Sequence, residues 1–149
     1  MARTAREWWR RRLLALGCVV TAFGVLHHVD HVGRGNHSGW PFEEAVTPFT
    51  FSLLIYALLL PGIFMNLRGL VAAGWWLFVA LVGVVLVFSV HFLGPEREAP
   101  VRDIYAVYGN PLWGLLALVV LTGLLFALVV LSVTAFRAVM ASRVQGQRR

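Results

Sequence analysis

The sequence predicts an all-α protein: a four-helix transmembrane bundle forming a single membrane domain over residues 1–149, with both termini cytoplasmic. Three observations carry this. Of the 149 residues 59% are hydrophobic and only 13% charged, with a mean hydropathy of +0.76, whereas soluble domains are about a quarter charged. Between Pro48 and Leu93 the one full charge is Arg68. Pro48–Leu67, Leu70–Leu93 and Leu112–Phe136 are therefore apolar runs, each of about the ~20 residues that cross a bilayer as helix. Every remaining stretch is the length of a loop, too short for a second domain.

Spans are expected at about 9–31, 48–67, 70–93 and 111–136, with outer loops at 32–47 and 94–110. The first is the least regular. Its apolar core Leu13–Leu26 makes roughly 21 Å of helix at ~1.5 Å per residue, against a hydrocarbon thickness of ~30 Å. The helix must extend past both ends of that run. On one side Arg10, Arg11 and Arg12 can snorkel with Trp8 and Trp9 at the interface; on the other the extension takes in His27, His28, Asp30 and His31. A rival reading makes residues 1–26 a cleaved signal peptide, with a basic start and a short apolar run. No small-x-small cleavage pattern follows Leu26, so the first span is expected to be retained.

The later spans are punctuated more clearly. Thr47-Pro48 and Asn110-Pro111 each place a capping side chain before a proline at the first helical position. Asn66-Leu67-Arg68-Gly69 reads as a tight helix-to-helix turn closed by glycine. Pro61 within the second span is expected to kink it toward its cytoplasmic end. Trp40, Tyr105, Tyr108 and Trp113 form an outer aromatic belt.

The arginines set the orientation. Ten of them lie at the N-terminus, at Arg68 and at the C-terminus; the two loops on the opposite side hold three, Arg34, Arg97 and Arg102. The positive-inside rule then puts both termini in the cytoplasm. The sequence pI near 11 follows from these flanking arginines and is no sign of a nucleic-acid partner. The single cysteine, Cys18, lies in an apolar run and leaves no intrachain disulfide to form.

Chemistry concentrates in one segment. His27, His28, His31 and His37 fall within eleven residues, and His91 ends the third span, so the topology gathers all five histidines at the outer membrane face. On a helix His27 and His31 are one turn apart on the same face, with Asp30 beside them. Two imidazoles so spaced can chelate a first-row metal. His91 would close the site from the third span, Asp30 is a further ligand or the acceptor that fixes a ring tautomer, and His37, Glu43 and Glu44 are within reach from the loop. The candidate ligand set is thus His27, Asp30, His31, His91 and His37. Nitrogen and oxygen donors without sulfur suit Zn, Fe, Mn or Cu(II). His28 points about 100° away, toward another helix or the headgroups.

A structural account competes with this one. Histidines at a helix C-terminus are favoured by the dipole, by a few tenths to ~1 kcal/mol when protonated, and Asp30 can simply pair with Arg34 four residues on. Yet the short apolar run draws His27 toward the hydrocarbon edge, where polar groups are costly and usually functional. A b-type haem between His27 or His28 and His91 meets the requirement of one axial histidine on each of two helices, but it is the weaker cofactor reading. Asn36-His37-Ser38 matches the three-residue glycosylation pattern, which is common by chance.

The run His27–Pro41, followed by Val46–Leu53, resembles a group of small four-span integral membrane proteins of bacteria and archaea that carry an H-H-x-D-H-x-x-R-G-N-H-x-G-W-P segment. The likeness covers about a quarter of the chain, implies the cytoplasmic membrane of a prokaryote, and implies no activity. Histidine-box di-iron oxygenases are a poor match, having around eight histidines in several boxes on the cytoplasmic side. The leading expectation is a transition-metal site used for redox chemistry, metal handling or sensing, with catalytic residues and enzymatic status unassigned. A non-catalytic subunit of a larger membrane complex, or a homo-oligomer, is the alternative. A carrier ranks last, since Cys18, Thr21, Tyr56 and Ser89 do not make a continuous polar path.

Overall fold

The computed structural model describes residues 3–33, 52–93 and 101–147. They form five helices and, among the described residues, no strand: α1 (Arg3–Gly33), α2 (Ile55–Leu67), α3 (Ala73–Phe92), α4 (Val101–Tyr108) and α5 (Pro111–Gly146). Three of them, α1, α3 and α5, are long and apolar enough to cross a membrane. At ~1.5 Å per residue they measure roughly 46, 30 and 54 Å. The described part of α2 has 13 residues, roughly 20 Å, and is shorter than the expected 48–67 span; residues 48–51, with the Thr47-Pro48 cap, lie outside the described residues. The helix continues through Pro61, and Trp75 donates its indole N–H to the Leu58 carbonyl at 2.9 Å, three residues before the proline.

The outer loop expected at 94–110 contains α4. The residue pattern accounts for it: apolar Val101, Ile104, Tyr105 and Tyr108 fall at i, i+3, i+4 and i+7, one face of a helix. Ile104 is buried, and Tyr105 lies against Gly114 at the start of α5. The turn into α5 is capped as expected, the Asn110 side chain accepting from the Leu112 N–H at 2.9 Å with Pro111 in the first turn.

Burial along α1 repeats at helical spacing: Leu13, Gly17, Val20, Gly24, His27 and His31 all face inward. The steps of four and three are those of a seam packed on neighbouring helices, so His27 and His31 occupy its last two positions. Along α5 the seam runs through Leu121, Leu124, Leu128, Leu131, Ala135 and Ala138. The opposite faces carry exposed large apolar residues, among them Val19, Val25, Phe78, Val85, Val119 and Phe126, as a bilayer-facing surface requires.

One end of the bundle is fastened by Trp76, which has no exposed surface. A Cβ placed on Gly17 would lie 2.4 Å from its ring, and one on Gly62 would lie 2.8 Å away. The indole thus fills a slot that two glycines leave open between α1 and α2. Its N–H donates to Asn66 Oδ1 at 3.1 Å, the Asn66 amide donates to the Arg10 carbonyl at 2.9 Å, and the Arg10 guanidinium donates to the Asn66 carbonyl at 2.8 Å. Asn66 is fully buried; each of its polar ends meets a partner on another helix, as burial demands. The turn that follows is a Schellman motif, with Gly69 N–H on the Asn66 carbonyl and Leu70 N–H on the Met65 carbonyl. Gly69 has φ +84°, the left-handed conformation for which glycine is suited.

These contacts fix the directions of the helices. α1 and α2 are antiparallel, with Arg10 by Asn66 at one end and His28 by Ser52 at the other. α3 runs with α1, since Trp76 meets Gly17 and His91 meets His27. α5 returns against both, placing Gly123 on Phe23 and Leu128 on Gly83.

Candidate metal centre

At the end of the bundle opposite Trp76, three imidazoles converge. The His27 and His31 rings are one turn apart on α1, their centroids 4.6 Å apart, because the helix stacks residues i and i+4. His91, near the C-terminus of α3, brings its centroid to 4.9 Å from His27 and 5.6 Å from His31. Nε2 of His27 is 3.1 Å from Nε2 of His91 and 3.3 Å from Nε2 of His31. All three residues are buried, at 6, 3 and 5% exposure. They form the one group among the described residues whose ligand atoms are placed to hold a metal ion.

The distances have a simple interpretation. A tetrahedral ion with bonds of about 2.0–2.1 Å to nitrogen holds its ligand atoms roughly 3.3 Å apart. The two N···N separations match that value, and all three ligand atoms lie within 4.8 Å of one another. Two neutral imidazoles can also approach to about 3 Å by sharing one N–H, so the arrangement can be held by hydrogen bonds without an ion. In either state the three rings are a buried set of nitrogen donors. Cys18 is exposed on the outer surface of α1 and contributes no sulfur.

The remaining candidates are placed differently. Asp30 is not part of the cluster: its Oδ1 accepts a hydrogen bond from the Tyr108 hydroxyl, which ties the end of α1 to α4. His28 faces α2, one of the two directions its position allowed. Its Nδ1 is 2.8 Å from the Gly24 carbonyl and 2.7 Å from the Tyr56 hydroxyl, and its Nε2 is 2.8 Å from the Ser52 hydroxyl. A carbonyl only accepts, so Nδ1 carries the proton and Nε2 accepts from Ser52. Both nitrogens are thereby engaged in holding α1 to α2 and to the residues that lead into it. His37, Glu43 and Glu44 lie outside the described residues.

Ser52 and Tyr56 are the interhelical hydrogen-bonders that hydroxyls in an apolar span suggest, whereas Tyr108, expected only in the aromatic belt, was missed as a group that binds this end together. Tyr108 was signalled by the helical spacing of Val101–Tyr108.

A cavity of about 60 Å³ adjoins the cluster. His27, His28, His31, His91 and Ser52 line one end, and aliphatic side chains including Val20, Leu59, Leu86, Leu124 and Leu128 line the rest. No protein-family model matches the chain, and neither a curated protein nor a solved structure matches it.

Proposed function

We propose that this protein is a four-span integral membrane protein with both termini cytoplasmic, which binds one transition-metal ion through Nε2 of His27, His31 and His91 at its extracytoplasmic end. The observation that carries this reading is the convergence of three buried imidazole nitrogens at 3.1 and 3.3 Å. Two come from consecutive seam positions of α1, where leucine or valine would otherwise pack, and the third from another helix. Ionisable side chains held inside a membrane bundle commonly mark functional sites.

An all-imidazole set favours Zn, Fe or Cu over Mn, which prefers oxygen donors. With its carboxylate bound to Tyr108, Asp30 orients the helix ends around the ion and does not ligate it. A single ion also accounts for the geometry better than a haem does. The axial nitrogens of a haem lie on opposite sides of its iron, whereas the His27 and His91 rings touch directly. The arginine distribution supports the orientation, and α2 supplies the fourth span.

The test is elemental analysis of detergent-purified protein made without a metal-binding tag and grown in metal-replete medium. A near-stoichiometric metal is expected, lost in His27→Ala, His31→Ala and His91→Ala and retained in His28→Ala. Equal metal in all four variants, or none above the detergent blank in the parent protein, would remove the reading.

A further inference from the structure

The cavity beside the three imidazoles has walls of one kind and an end of another. A cavity needs roughly 10–15 Å³ of such volume to hold one water, so its 60 Å³ admits a molecule of a few atoms. A water there would want two to four polar partners. Along the walls it would find Val20, Leu59, Leu86, Leu124 and Leu128. Of the polar groups at the end, His28 and Ser52 already bond each other and α2. The aliphatic part of the cavity thus offers a water no partner, and apolar cavities accept apolar guests.

The cavity also touches the site directly, since all three candidate ligands line it. A guest held by the aliphatic walls therefore lies against the rings that would carry the ion. Among the described lining residues there is no Arg, Asp or Glu, so the protein itself offers a charged guest no counter-charge, and burying an uncompensated charge is prohibitive. The hydrocarbon around the bundle dissolves apolar gases more readily than water does, so such a guest has a reservoir next to the site.

We infer that this cavity is a chamber for a small uncharged gas of dioxygen's size, which it presents to the metal centre formed by His27, His31 and His91. The role at the metal rests on the proposed metal centre; the selectivity of the cavity rests on its own walls.

Gly24 gives access to a test. It lines the cavity, and the nearest atom to a Cβ placed there is the Tyr56 hydroxyl oxygen at 3.7 Å, an ordinary contact. Gly24→Ala is therefore expected to fold, and Gly24→Leu to extend its side chain into the space. The measurement is relaxation enhancement of isotope-labelled methyl groups in detergent-solubilised protein, equilibrated with dioxygen and compared with nitrogen. Metal content is measured on the same preparations.

The expected result is enhancement at Val20, Leu124 and Leu128 several-fold above that at Leu13 and Leu131, which are equally buried but away from the cavity. It should be smaller in Gly24→Ala and absent in Gly24→Leu. Enhancement no greater than at Leu13 and Leu131, or unchanged in a folded Gly24→Leu protein, overturns the chamber. If Gly24→Leu does not fold, an unchanged enhancement in Gly24→Ala overturns it instead. The metal assay separates the two readings: gas in the cavity of a protein that binds no metal keeps the chamber and refutes its role at a metal, while metal without gas keeps the metal centre and refutes the chamber.

Discussion

Replacing Gly17 by alanine tests whether the far end of the bundle sets the geometry of the histidines. The added Cβ would lie 2.4 and 2.6 Å from two ring atoms of Trp76 and 3.0 Å from a third, where ordinary contact begins at about 3.5 Å. The indole has nowhere to retreat. Its other side meets Gly62, where a Cβ would approach to 2.8 Å, and its N–H is tied to Asn66. The helices must separate by up to about an ångström, and overpacking of this kind costs typically 1–3 kcal/mol. Because His27 follows Gly17 by ten residues, roughly 15 Å along the same helix, part of that displacement reaches the contact between His27 and His91. Equilibrium unfolding in mixed micelles should show the loss, and metal titration should show weaker binding. The double variant Gly17→Ala/Trp76→Phe, whose smaller ring restores the space, should recover part of both, giving a coupling energy of the size expected for residues in contact. Gly17→Ala with undiminished stability and affinity would refute the packing argument and the link between the two ends.

Other outcomes follow from the same contacts. Asn66→Leu removes the acceptor of the Trp76 N–H and the donor to the Arg10 carbonyl; leaving buried polar groups unsatisfied should cost about 1–3 kcal/mol each, read by the same unfolding assay. Tyr108→Phe removes the hydroxyl that donates to Asp30, and amide exchange over Val101–Tyr108 should accelerate while metal content stays unchanged. Metal occupancy should fall on acidification, because histidine ligates only when deprotonated and protons compete for the same nitrogens; metal titrations at several pH values, with a pH-independent result as the contrary outcome, check this. Free metal at a hundred times its dissociation constant should add about 2.7 kcal/mol to unfolding stability, an increment that His91→Ala should lose.

Much of the helical plan was legible because it depends on periodicity and on the hydration cost of charge. The apolar runs located α1, α3 and α5, and Asn110-Pro111 and Gly69 gave the caps and turns their residues. α4 was hidden because its eight residues carry two of the outer aromatics, Tyr105 and Tyr108, and so read equally well as an interfacial belt; the packing of Ile104 and Tyr105 shows the helix. The pairing of His27 with His31 could be read from helical spacing alone. That His91 meets them depends on how α3 lies along α1, and that alignment depends on Trp76 entering a slot between Gly17 and Gly62, residues that look unrelated in sequence. For the same reason Asp30 could be placed next to the histidines along the chain but not assigned to Tyr108, which is 78 residues away.

The division of the three nitrogens between two helices has a consequence for how the molecule comes into being. His27 and His31 are aligned as soon as α1 is helical, so the emerging chain can present a two-point grip early in synthesis. The third nitrogen is encoded 64 residues after His27 and arrives only when α3 has entered the membrane and settled beside α1. An ion caught by the first pair would exchange readily until then and be retained afterwards. Metal retention would thus mark completed assembly, and a chain halted after its second helix would leave the ion to the surrounding medium.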